Sequence, residues 1–541
     1  MTMRYVCLFI LCSLCFYSTT LQAQLPEVSL SAAFPEPAAD GWDKVVMLPG
    51  GNTCYLHFDK SQGIQVNMYN TAHELAATET ITGAQWNTRS MNDTEIDGVY
   101  AINGQVVVFL QQLIKYKPCL FRIVINGTTG RLVQEDKIGE LPTVLHREAF
   151  AIGCLASHDF YVAKDPASGY YAVAFFTGGE LQRKEDPSKR IQVMHFSPEH
   201  QLLNQAYYSL PDSSALPYFN FLDMAVQGSE NVYLCTVGFN TKRNGSLPQS
   251  EVIISVLKNG QTAFVHQPLA YTANFGNAHA SLQWAAAAKR LQMLLVAAPD
   301  PKAKPDERQS FLNYLDPASG ALQQSPLSLN KLANGNTAYT GLPQLLAVQP
   351  NGSAIVQLEQ MQQFTQGKNV YNMQHTNLDD IGICSISPAG VTDSGYVISK
   401  LQVANGSIEP LYLQRKQRGT WVFRNRVAAL NTTPYLSFDY IHTNTHGDYT
   451  LFNDYLQQLD RGGTFEAKKP LRYLTEANTV CYHYLNGQAE RLFLFGTPQT
   501  DKSYYCMLGA SDHNVQQHTY ATLLITRTGE ARTACIAWLR F

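Results

Sequence analysis

Residues 44–81 read KVVMLPGGNTCYLHFDKSQGIQVNMYNTAHELAATETI, and this stretch falls into four short pieces. Lys44–Leu48, Thr53–Phe58, Gly63–Tyr69 and Glu74–Ile81 have the length and the Val, Ile, Tyr and Thr content of β-strands. Pro-Gly-Gly-Asn, Asp-Lys-Ser-Gln and Asn-Thr-Ala-His separate them, and such residues set the backbone angles of turns. The same reading holds for Leu222–Val226, Asn231–Val237, Glu251–Leu257 and Thr262–Pro268. A four-stranded antiparallel unit therefore occurs at least twice.

Working outward, the turn chemistry repeats along the whole chain. Asp165–Gly169 (DPASG) recurs verbatim as Asp316–Gly320, with Pro presetting φ at the second turn position and Gly suited to a left-handed one. Asn126–Gly130, Lys258-Asn259-Gly260, Ser387–Gly390, Asn486-Gly487 and Thr528-Gly529 occupy the same place between two strands. About eight such strand–turn–strand segments centre near residues 71, 128, 199, 259, 318, 389, 487 and 528, spaced about 65 residues apart, the mark of a repeat array. Several strands, such as Val106–Leu110 (VVVFL), Leu120–Ile125 and Leu291–Ala297, are apolar at consecutive positions, so both of their faces must be covered. Ala280–Ala298 has a helix-favouring Ala run but reads as two strands around Ala287-Lys289-Arg290.

The fold class that follows is all-β, a β-propeller of about seven to eight four-stranded blades. The wide interval from 389 to 487 and the narrow one before 528 leave seven and eight both open. Tandem β-sandwiches are the alternative, and they fit the turn spacing less well. An outer-membrane barrel is suggested by the terminal Phe541, but it needs longer, strictly alternating strands.

Hydrophobic residues make up 45% of the 541 residues and charged ones only 15%, with 29 Tyr and 25 Phe, so the chain can bury a large core. The net charge of −3 lacks the concentrated basic face that nucleic-acid binding requires. Residues 1–23 read as a signal peptide: Arg4, the apolar run Val6–Phe16, then Leu21-Gln22-Ala23 before a mature start at Gln24. Residues 24–541 then form a single propeller domain, periplasmic or secreted, without a membrane span after signal removal. Eight cysteines remain: Cys54, Cys119, Cys154, Cys235, Cys384, Cys481, Cys506 and Cys535. They sit inside apolar runs with no CxxC pair, which predicts buried thiols rather than a disulfide framework or structural zinc.

Chemical motifs are sparse. His73-Glu74 lacks the second histidine of a zinc-protease helix, and Ser328–Lys331 matches SxxK without opening a helix. His442, His446 and Asp448 could hold a divalent cation if one turn gathered them, but a polar hairpin turn between Leu436–Ile441 and Tyr449–Phe452 is the simpler reading. Asp379-Asp380 and Asn453-Asp454 are candidates for paired-carboxylate glycoside chemistry, which needs two carboxyls facing each other across a pocket. Four of six N-x-[ST] sequons are Asn-Gly-[ST], a pattern that hairpin turns produce by themselves. No catalytic, cofactor-binding or metal residue is assigned on this basis.

Residues 345–455 resemble a segment of secreted, β-propeller-like proteins of the Bacteroidetes whose function is unknown. The resemblance rests on Asn351-Gly352-Ser353 leading to Val356–Glu359, on Ile381–Ile386 followed by Ser387–Gly390, on Ile398–Gln402 and on Asn453-Asp454, with a signal ending in Ala-Gln. It implies export and a β-rich fold, and it brings no catalytic residues or cofactor.

The expected function is a non-enzymatic module that binds a protein or glycan ligand, with a propeller-fold carbohydrate-active hydrolase as the alternative. The expected contact region is the insert Gln360–Asn377, which carries Met361, Phe364, Tyr371, Met373 and His375 and a single formal charge, Lys368. Otherwise the insert covers a neighbouring unit or extends its hairpin as a strand pair.

Overall fold

A computed structural model describes residues 25–541 apart from 39–40, 60, 89–93, 143–159, 178–189, 211–215, 217, 240–249, 270–275, 299–306, 335–336, 367–372, 406, 416–418, 421–436, 444–445 and 457–476. The signal-peptide reading of residues 1–23 lies outside the described residues.

Eight four-stranded antiparallel blades form a β-propeller. Seven are continuous in sequence, spanning residues 42–81, 94–140, 160–208, 218–269, 276–326, 342–398 and 439–492. The first strand of each is innermost, next to the first strands of its neighbours, and the fourth is outermost. The first blade runs Trp42–Met47, Thr53–Asp59, Gly63–Tyr69 and Leu75–Ile81, within two residues of the sequence reading throughout. Gly276–Ala285 and Arg290–Ala298 are both strands, so the Ala run is a turn and not a helix.

The eighth blade draws on both ends of the chain. Its inner strand is split into Lys502–Cys506 and Asp512–Asn514 around a short 3-10 turn, Leu508–Ala510. Thr519–Thr528 and Ala531–Arg540 follow, and the outer strand is the N-terminal Glu27–Leu30, in register with Arg540–Ala537. Phe34–Pro35 extends that pairing to Ala534 and Thr533.

The consecutive apolar runs now have a geometric meaning. In the second blade, Val106, Val108 and Leu110 pack toward the first blade with Val46, Leu56 and Val66. Val107 and Phe109 point the other way and pack on Tyr171, Val173 and Phe175 of the third. The run Leu291–Ala297 divides in the same way between the fourth and sixth blades. Every middle strand is thus covered twice, and each such side chain contributes about 1.5–3 kcal/mol through burial.

The tight turns that revealed the repeat all close on the narrow end of a hairpin. Asp165 and Asp316 each accept the N–H two residues on, from Ala167 and Ala318, at 3.0 and 2.9 Å. Gly320 takes the left-handed φ of 70° that the motif suggests. Gly169 does not: its missing Cβ instead lets Pro198 approach, to 3.0 Å of where that atom would stand.

Seven of the eight cysteines lie in described residues, and all seven are free and buried; Cys154 lies outside the described residues. Burial holds their thiols protonated, with Cys384 and Cys535 pushed up to about 11 and Cys506 to about 12. Thiol titration should therefore find little reaction in the native protein and at least seven free thiols after denaturation without reductant. Recovery of few or none would mean the strands are cross-linked.

Candidate functional site

An antiparallel four-stranded blade places its first and third turns at one end. Its second turn and the link to the next blade lie at the other. At the first end the described turns are tight, for example 70–74, 127–131, 197–201 and 387–391. At the second end stand the long connections 141–159, 177–190, 399–438 and 455–477. Long connections carried by a rigid ring are where binding residues concentrate, and this end is the candidate functional face.

Two elements build it. The first is the insert at Gln360–Asn377, which is a strand pair. Ala354–Gln366 and Met373–Ile386 run on past the blade, with Met361 opposite Leu378 and Gln366 opposite Met373. Gln402–Asn405 adds a third strand against His375–Leu378, so the insert is a three-stranded flap. The ring of Phe364 stacks on that of His375 at 5.4 Å, while Gln362 and Thr365 are exposed. Among the contact residues named from sequence, Tyr371 and the Met373 side chain lie outside the described residues.

The second element is the connection 399–438 between the sixth and seventh blades. It leaves the flap through Ile408, whose N–H donates to Thr376 Oγ1 and whose carbonyl accepts from Gln363 Nε2. Glu409 then meets Arg308 beside the fifth blade at 2.7 Å. Further on, Gly419–Thr420 pairs with Ile96 and Glu95 on the inner strand of the second blade. The second and sixth blades face each other across an eight-membered ring, so this connection crosses the axis.

The connection is pinned at both ends on one carboxylate. Glu359, on the second strand of the sixth blade, receives Lys400 Nζ at 2.5 Å, Ser437 Oγ at 2.8 Å and the Tyr412 hydroxyl at 2.5 Å. Both side chains of the Lys400–Glu359 pair are fully buried, and Lys400 also donates to Gln402 Oε1. Glu359 and Asp380 beside the buried Tyr339 phenol add to desolvation in holding it protonated. A desolvated ion pair is tolerable when its remaining lone pairs and protons are taken up, as they are here.

Sequence reading missed a second set of acids. Asp43, Asp97, Asp223 and Asp439 are buried on inner strands, each following a large apolar residue: Trp42, Ile96, Leu222 and Phe438. That recurring apolar–Asp pair was the available signal. Asp97, Leu222 and Gln344 stand at β-bulges, which twist a strand locally and re-aim its side chains. Asp223 accepts the Leu282 N–H of the fifth blade at 2.6 Å and the Tyr161 hydroxyl of the third, so one carboxylate joins three blades. Asp43 accepts from Tyr55 at 2.7 Å and His57 Nδ1 at 2.8 Å. Asp439 accepts from Tyr520 of the eighth blade, and Asp512 accepts the Met47 N–H of the first.

Several of the candidates named from sequence make structural hydrogen bonds. Asp380 accepts the Lys400 N–H, Asp454 the Tyr455 N–H, and Asn453 bridges Thr479 and the Cys506 carbonyl. His442 and Asp448 are cross-strand partners at the tight-turn end, with Nδ1 donating to Oδ1 at 2.7 Å and Tyr396 donating to the other oxygen. The His446 carbonyl accepts from His483. Among the described residues, no three His, Cys, Asp or Glu side chains gather as a metal site. His73 sits in a turn of the first blade, its ring stacked on Trp538 at 4.0 Å, and Lys331 donates to the Asp393 carbonyl.

No family model matches the chain, and no curated protein does. Among solved structures it is similar to the polysaccharide lyase Uly1, at 10% identity over 96% of this chain and 99% of that one, with a TM-score of 0.36. It is also similar to prolyl oligopeptidase B from Galerina marginata, at 7% identity over 94% of this chain and 56% of that one, with a TM-score of 0.38. A protein of unknown function from Bacteroides caccae matches at 10% identity over 66% of this chain and 85% of that one, with a TM-score of 0.23. The chain spans about half the length of the prolyl peptidases it matches.

Removing one partner of a buried ion pair strands the other. Lys400→Met should therefore cost about 3–5 kcal/mol of stability, read as a fall in the denaturation midpoint. The double variant Lys400→Met with Glu359→Gln should recover part of that loss. A neutral single variant would show that Glu359 does not pin the connection.

Proposed function

We propose that the protein is an exported binding module that takes a protein or glycan ligand on the face carrying the long connections. The observation that supports this reading best is the asymmetry of the ring. Tight turns close one end, while the other carries the flap and a connection that spans the axis. The buried carboxylates on the inner strands favour binding over hydrolysis, because Asp223 and Asp439 accept hydrogen bonds that join blades and are desolvated. Export rests on the signal-like residues 1–23, and the resemblance to secreted proteins agrees with it.

Replacing the two exposed flap residues, Gln362→Glu with Thr365→Glu, should leave the melting temperature unchanged and weaken ligand retention at least about tenfold. Retention is read on a glycan array and on immobilised extract proteins, with Val391→Glu as a control at an exposed position of the tight-turn end. Retention lost in the control and kept in the flap variant would place binding on the opposite face.

A further inference from the structure

The second turn of the second blade, on the candidate face, is built from residues that such a turn disfavours. Gln105–Ile114 and Lys117–Asn126 pair as far as Ile114 opposite Lys117, so Lys115 and Tyr116 alone make the turn. Both take left-handed φ, 50° and 65°. Two-residue hairpin turns of this kind favour Asn-Gly, because a side chain at positive φ crowds the following carbonyl. The chain uses that pair at Asn103-Gly104, with φ of 50° and 72°, and at Asn486-Gly487, with 53° and 81°. Among the described residues, Lys115-Tyr116 is the one consecutive left-handed pair without Gly. A bulky aromatic at such a position is strained, and strain of this kind clusters where a residue serves more than the fold.

The side chains that the turn presents are not used by the fold. Tyr116 is 71% exposed, more than any other large apolar side chain described. Among the described residues, neither its ring nor its hydroxyl has a partner, and the exposed Lys115 has no ion pair. Below the tip the hairpin is braced, since Lys117 and Lys137 hold Glu140 at 2.8 and 2.7 Å. Lys115, Lys117 and Lys137 outnumber Glu140 there, so this end of the hairpin is positive.

A cation beside a free aromatic face fits an acidic sugar. The face of the ring is negative and takes the weakly positive C–H groups on one side of a pyranose, while an ammonium takes a carboxylate. A protein hot spot is instead an aromatic side chain in a surround that excludes water, and charged Lys115 and Lys117 flank this one. A bare sulfate or phosphate would use the lysines and leave the ring idle. We propose that Lys115 and Tyr116 bind a uronate-bearing polysaccharide, the Tyr116 ring stacking on a sugar face and Lys115 pairing with its carboxylate. This rests on the binding reading above and narrows its ligand to an acidic glycan. The short turn holds both backbones in place before the ligand arrives, so little ordering entropy is lost on binding.

The test runs the full chain in native gels containing polygalacturonate or alginate, with neutral pullulan and dextran sulfate as comparison gels. Both uronate polymers should retard the protein more than pullulan or dextran sulfate does. Lys115→Asn with Tyr116→Gly installs the relaxed turn of residues 103–104. It should raise the dissociation constant for the uronate polymers at least about tenfold and leave the melting temperature unchanged or higher. Unchanged binding by the variant, equal retardation by pullulan or dextran sulfate, or a lower melting temperature would each overturn the proposal. Retardation by neither uronate polymer, while a glycan array or immobilised extract proteins retain the chain, would also overturn it and leave the binding reading standing. Retention by none of these would remove both.

Discussion

Closure of the ring rests on a short main-chain pairing, Glu27–Leu30 against Arg540–Ala537 and Phe34–Pro35 against Ala534 and Thr533. Every blade in this chain has apolar residues on both faces, so none can be terminal without leaving one face in water. A sandwich solves that problem with two layers, a solenoid with polar caps and a propeller only by joining its ends. Here the last blade is incomplete until the N-terminal strand arrives. Few side chains secure that strand: Val28 and Leu30 are exposed, and the Ser29 hydroxyl reaches His73 of the first blade. Phe34, against Tyr55, and Glu36, which accepts from Tyr505, carry it inward. The attachment is chiefly main-chain hydrogen bonding, while what it protects is the apolar run Ala534–Leu539.

Around the closed ring, blade order is fixed by polar contacts that hydrophobic packing alone would not specify. Arg122 of the second blade reaches Tyr171 and the His200 carbonyl in the third. His195 of the third meets the Gly228 carbonyl of the fourth, and Gln283 of the fifth meets the Leu346 carbonyl of the sixth. Trp538 of the eighth donates to Thr53 of the first. Each is satisfied across a blade boundary, so a slipped register would leave it unpaired, at a cost of about 1–3 kcal/mol for the buried Arg122, His195 and Trp538. With positions fixed in this way, one end of the ring is free to carry long connections. The flap and the 399–438 connection share anchors there, since Thr376, Gln363 and Glu359 all hold the latter.

Much of this architecture was legible in the sequence because turn chemistry is local. The segments centred near 71, 128, 199, 259, 318, 389 and 487 are the third turns of the seven continuous blades. The one near 528 is instead the second turn of the eighth, whose fourth strand comes from residues 27–30. That substitution produced the narrow last interval, while connections 399–438 and 455–477 produced the wide one before it. Blade number could not be read from spacing for this reason: strand exchange between chain ends is a long-range event. The flap was visible as an insert, but its third strand, Gln402–Asn405, pairs with the third strand of its own blade beyond the end of the fourth and left no local mark. The inner-strand acids were hidden differently. An Asp after Leu222 or Phe438 reads as a strand end, and only the ring shows that it receives hydrogen bonds from other blades.

The central claim is that an N-terminal strand closes an eight-bladed ring. It is tested most directly by thermal melting of the chain with all residues before Glu36 removed, alone and with a synthetic peptide of residues 24–35 added in trans. The account predicts a lower or uncooperative transition for the shortened chain and recovery toward the full-length curve as peptide is added. A shortened chain that melts like the full one, or one that the peptide leaves unchanged, would contradict it.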